Sequence, residues 1–142
     1  MTQEWIFWAL AAAVFAALTA IFAKIGLQGV NSDFATFIRT VVILVALAAF
    51  LTYSGKWHPF GSLTSKNWAF LILSGLATGI SWLAYFKALQ LGPASQVAPI
   101  DKLSVLFVTL FAVFFLGERP SGQEWTGIGL IVIGVLFLAI KR

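Results

Sequence analysis

Long apolar stretches separated by short turn-rich segments make up nearly the whole chain. A helix that crosses roughly 30 Å of hydrocarbon needs about 20 predominantly apolar residues. Five stretches reach that length, at about 5–25, 34–53, 68–89, 93–116 and 125–140. Turn formers lie between them: Gly29-Val30-Asn31-Ser32, the segment 54–65, Gly92-Pro93 and the segment 117–123. Glu4, rather than a basic segment, stands ahead of the first stretch, whose apolar length exceeds that of a signal peptide, so a mature helix is expected there. No linker or shift in composition divides the chain. The pattern predicts an all-α integral membrane protein with five transmembrane helices in one domain, residues 1–142.

Composition strengthens this reading. Hydrophobic residues make up 61% of the chain and charged residues 10%, with a mean hydropathy of +0.98. A soluble domain carries roughly 25% charged residues to cover its core, so a soluble fold is excluded. The chain has no Cys and a single His, His58, which removes thiolate metal sites, disulfides and most histidine-based metal sites and triads. No metal or other cofactor is expected. The net charge is +4, but the nine Lys and Arg lie singly between apolar runs and form no basic stripe, so nucleic acid is not a partner.

Five spans put the two termini on opposite faces, and the distribution of basic residues then sets the orientation. Lys56, Lys66 and Arg119 fall on the N-terminal face; Lys24, Arg39, Lys87, Lys102, Lys141 and Arg142 fall on the other. The plain count of three against six predicts a cytoplasmic C-terminus, whereas discounting basic residues inside helix ends would allow dual topology. Trp5, Trp8, Trp57, Trp68 and Trp125 gather at the N-terminal face, as indoles that anchor at headgroups do, and favour one orientation.

Trp82 lies too deep for that belt, about 21 Å along the third span from Trp68. Ser74, Thr78, Ser81 and Tyr85 follow at steps of four, three and four, which places four polar side chains on one face of that helix. Such a face is expected to point inward. It serves either interhelical hydrogen bonds, at roughly 0.6 kcal/mol each, or a substrate pathway with Trp82 and Tyr85 as its aromatic wall. Gly75 and Gly79, the alanines of the first span, and Gly127 and Gly134 give small faces suited to close helix packing.

The charges concentrate toward the C-terminal face. A fourth span starting at Lys102 would be only about 22 Å long, too short to cross, so the start is expected at Gly92-Pro93. Asp101 and Lys102 then lie about 12–14 Å along the helix, just after Pro99, whose missing donor should leave a kink or an unwound turn. A proline-interrupted segment beside intramembrane charge is how transporter folds build binding sites. Arg39, Lys24 and Lys87 come near the same level, with Asp33 and Asp101 against them. Lys24 and Lys87 can snorkel to the interface. Arg39 and Asp101 are expected to be paired or functional, and the surplus of cation suits an anionic ligand.

The run from Leu89 to Lys102, with Gly92-Pro93-Ala94-Ser95-Gln96 at its centre, is followed by an apolar helix, the junction Leu116-Gly117-Glu118-Arg119 and the glycine-rich segment Gly127 to Gly134. Over nearly its whole length the chain resembles one EamA domain of the drug/metabolite transporter superfamily. The resemblance implies one half of a ten-helix transporter. Such a half would form a homodimer, or pair with another five-helix half, in a bacterial or archaeal plasma membrane. It further implies movement of small organic metabolites or drugs. Arg39, Ser81, Trp82, Tyr85, Asp101 and Lys102 are the expected substrate-binding residues, with Lys24, Ser74, Thr78, Gln96 and Glu118 as secondary candidates. Glu118, at the end of the fourth span, reads first as a helix-junction residue facing the unfavourable end of the helix dipole.

The leading expectation is therefore a secondary transporter, driven by an ion gradient, by exchange or by the solute's own gradient, since the chain has no ATP-binding loop. The alternative is a noncatalytic partner subunit of a larger transporter or of a lipid-handling complex. An intramembrane enzyme is poorly supported: the one His lies in a loop and no carboxylates pair at a common depth.

Overall fold

The structure, a computed structural model, describes residues 4–140. Lys141 and Arg142, both part of the basic count, lie outside the described residues. The helices are α1 (Glu4–Gly26), α2 (Ser32–Ser54), α3 (Ser65–Leu91), α4 (Ala94–Asp101), α5 (Ser104–Phe111) and α6 (Gly122–Ala139). A 3₁₀ turn at Phe60–Ser62 precedes α3, and a π-helical turn, Ala112–Leu116, continues α5. All five expected spans are present, with Ala94–Leu116 crossing as an interrupted unit, and no strand occurs among the described residues.

Capping chemistry sets several of the boundaries. Asn31 accepts from the backbone N–H groups of Asp33 and Phe34 at 2.9 and 3.2 Å, so α2 starts two residues earlier than its apolar run. At its other end Gly55 adopts φ 63°, a left-handed C-cap from which the N–H of Lys56 reaches the Leu51 carbonyl at 3.1 Å. The fifth span begins at Gly122 rather than near Trp125, because Ser121 and Glu124 form a reciprocal capping box.

The fourth span departs most from a plain helix. Pro93 is its N-cap rather than its first helical residue, with the N–H groups of Gln96 and Val97 donating to the Pro93 carbonyl at 3.0 Å. The expected interruption is present but begins three residues beyond Pro99, which the α4 geometry accommodates. At Lys102 and Leu103 the backbone switches to bonds three residues apart: Lys102 N–H to the Pro99 carbonyl and Leu103 N–H to the Ile100 carbonyl, both at 3.0 Å. Asp101 is consequently the last residue of α4, just ahead of the interruption. Gly117, with φ 70°, ends the π turn, and the N–H of Glu118 closes back on the Ala112 carbonyl at 3.2 Å.

The chain divides into two compact units, Ala23–Leu91 and a second made of the residues up to Phe22 together with those from Gly92 on. In the first unit α2 packs on α3, burying Leu27, Ser32, Thr36, Phe86 and Leu89. In the second, α4 and α5 pack on α6, and Ala20, Ala112 and Val135 are buried. Only 6% of the most apolar window of each span is buried inside the protein. Exposed apolar side chains on this scale belong in hydrocarbon, where they need no polar cover.

Candidate substrate site

Arg39 lies seven residues into α2, about 10 Å along the axis from Ser32. Its guanidinium carbon sits over the indole of Trp82, 4.4 Å from the ring centroid, and over the ring of Phe86 at 5.0 Å. Trp82 and Phe86 are four residues apart on α3 and therefore one above the other on the same face. Tyr85, between them in sequence, meets Phe86 edge-on at 6.3 Å. The basic head is thus packed on a two-ring platform, an arrangement a planar guanidinium suits better than an ammonium. One of its nitrogens, Nη1, is buried and has no hydrogen-bond partner among the described residues.

Contacts at the same end of this unit hold the platform in place. The Lys24 ammonium donates to the Leu89 carbonyl in the last turn of α3, and the Gln90 amide nitrogen donates to the Val30 carbonyl at 2.9 Å. The last residues of α1 and the loop before α2 are therefore tied to the end of α3. Lys24 acts as a cation on carbonyls that a helix end leaves unpaired. Thr36 and Thr40 turn their hydroxyls onto the carbonyls of Ser32 and Thr36 at 2.8 Å, which removes their donors from the site.

The other expected residues are distributed as follows. On α3, Ser74, Thr78 and Ser81 are exposed, and the Thr78 hydroxyl donates to the Ser74 carbonyl at 2.8 Å. Of that polar stripe, Tyr85 meets the Arg39 platform through its contact with Phe86. Lys87 is exposed. In the other unit Asp101 and Lys102 form an ion pair at 3.5 Å, both side chains exposed, at the interruption of the fourth span. Gln96 is half-buried on α4, and Glu118 is exposed at the junction after the π turn. Phe86 was not among the expected residues. Its signal in the sequence is its position one turn beyond Trp82; nothing else distinguishes it from the other phenylalanines of the spans.

Arg39 is thus a basic side chain held on aromatic rings inside a membrane-spanning helix. The EamA-like transporter family matches residues 3–140. The chain belongs to this family. A protein of Sinorhizobium sp. named as an uncharacterized transporter in the cobO 3'region is 55% identical over 99% of both chains. The probable 4-amino-4-deoxy-L-arabinose-phosphoundecaprenol flippase subunit ArnE of Hamiltonella defensa is 31% identical over 68% of this chain and 93% of its own length. The uncharacterized transporter YxxF of Bacillus subtilis is 27% identical over 96% of this chain, which spans 43% of that relative. No solved structure matches. With five spans and bacterial transporter relatives, this EamA chain is a multi-pass integral protein of a bacterial plasma membrane.

Proposed function

We propose that the protein is a secondary transporter of small organic metabolites or drugs that acts as a dimer of five-helix halves. The observation that carries this reading is the Arg39 head on Trp82 and Phe86: a charge kept within a span, where it is costly, with a donor left unpaired. Trp82 and Tyr85 would contact the solute beside Arg39, with Ser81 at the edge of the same face. In the other unit the Asp101–Lys102 pair at a broken helix supports a role in binding or coupling, since such interruptions are where transporters place their sites. The dimer is supported by the match to less than half of a longer relative, as one of two halves would give.

Transport by the purified protein alone, reconstituted into vesicles, tests the proposal. Accumulation or exchange of a solute with no other protein present is the expected result. The second reading, a partner subunit with no transport of its own, is favoured by the likeness to a protein named as a flippase subunit. It predicts vesicles that are inactive until a second membrane protein is added.

A further inference from the structure

We propose that Arg39 is an oxyanion receptor: the part of the ligand that enters this site carries a phosphoryl or carboxyl group, bound in the plane of the guanidinium. The proposal rests on the transport reading only in taking this site to be where the ligand goes. Trp82 and Phe86 occupy the face of the guanidinium, at 4.4 and 5.0 Å from its central carbon. Hydrogen bonds can then be made only at its edge, where the N–H donors lie in a fixed fork. One edge nitrogen, Nη1, is buried without a partner. Among the described residues no oxygen accepts from it: the Thr36 and Thr40 hydroxyls turn to carbonyls of their own helix, and the Asp33 carboxylate accepts from the Ser32 hydroxyl at 3.3 Å. Among the described residues the ion pair within 4 Å is that of Asp101 and Lys102, not one made by Arg39. A group with two oxygens in one plane, as carboxylate and phosphoryl groups have, matches such an edge with two parallel bonds. The ring stack fixes the fork beforehand, so binding loses little side-chain freedom. A solute with no acceptor oxygen would leave the Nη1 donor unpaired, and a single neutral carbonyl would fill only one position of the fork.

The oxyanion can belong to a water-soluble solute or to a lipid headgroup, and one experiment separates the two. The purified protein in dodecyl maltoside, which carries no phosphate, is titrated with methyl phosphate and with acetate at constant ionic strength, following the tryptophan fluorescence that Trp82→Phe removes. The same signal is followed as phosphatidylglycerol is added to the micelles. A saturable change with either soluble anion supports a solute oxyanion; a change with phosphatidylglycerol alone supports a headgroup. In both cases Arg39→Lys, which keeps the charge but loses the fork, should weaken binding at least tenfold, and Arg39→Gln should abolish it. If Arg39→Gln fails to fold by circular dichroism, Arg39→Lys decides. No saturable response to any of these anions, or an Arg39→Lys response equal to wild type, overturns the proposal. Because the readout is binding, it separates from the transport reading: anion binding without transport in vesicles would remove the carrier and keep the receptor. Transport of solutes without anion binding would do the reverse.

Discussion

Arg39 and Lys24 are both cations in apolar helices, yet their surroundings give them different work. A charge at the centre of a span costs roughly 2.5–3.5 kcal/mol on insertion scales. Arg39, two turns into α2, offsets part of this on the faces of Trp82 and Phe86, a contact of roughly 0.5–2 kcal/mol. Lys24 instead gives its ammonium to the Leu89 carbonyl. Lys24→Met, which keeps the apolar stem, should therefore cost roughly 1–2 kcal/mol of stability in an SDS-titration unfolding experiment and leave any anion binding at Arg39 within a few-fold of wild type. Loss of binding with unchanged stability would put Lys24 in the ligand site. Arg39 and Trp82 were legible in the sequence because a charge and a deep indole are conspicuous in apolar helices. Phe86 was not, because a phenylalanine on a membrane helix looks the same whether it faces a guanidinium or lipid.

The five spans were legible as elements because hydrocarbon thickness leaves so little choice of length. Their ends were read less well, since caps are made by one or two side chains rather than by periodicity. The Ser-Gly-Gln-Glu signature at 121–124 is present in the sequence, whereas the apolar run alone places the start of the helix near Trp125. Ser121→Ala should remove about 1 kcal/mol from the stability of α6, measured by the same SDS titration; an unchanged midpoint would show that packing alone fixes this end. The break in the fourth span was anticipated from Pro99 but lies at Lys102 and Leu103. Proline disturbs the turn before it, so its presence gives the region of an interruption and not its register. Asp101, at that break, is paired with its neighbour at 3.5 Å and exposed. If it carries a coupling proton, Asp101→Asn should abolish uptake driven by a pH gradient while leaving exchange of internal for external solute largely intact, because exchange moves no net proton. Near-normal pH-driven uptake by the variant would return Asp101 to a purely structural role.

At the scale of the whole molecule, burial decides what the chain must do next. With 6% of each apolar window buried, the five spans leave most of their surface to lipid or to another protein. The fold class was legible from this excess of apolar residues; the division at Phe22–Ala23 and Leu91–Gly92 was not, because no shift in composition marks it. A solute pathway needs enclosing walls, and in the proposed dimer a second five-helix half would supply them. The small residues of α6 are where we expect that half to approach, since Gly127 and Gly134 lie two turns apart on one face. A Cβ added at either glycine would meet nothing within 4 Å in the same chain. Replacing them is therefore a clean probe: Gly127→Leu or Gly134→Leu should leave the stability of the single chain nearly unchanged while reducing crosslinked dimer severalfold, and vesicle transport should fall in proportion to the dimer. Dimer yields equal to wild type in both variants would move the contact to another helix. Transport that persists after dimer is lost would show that one five-helix chain suffices.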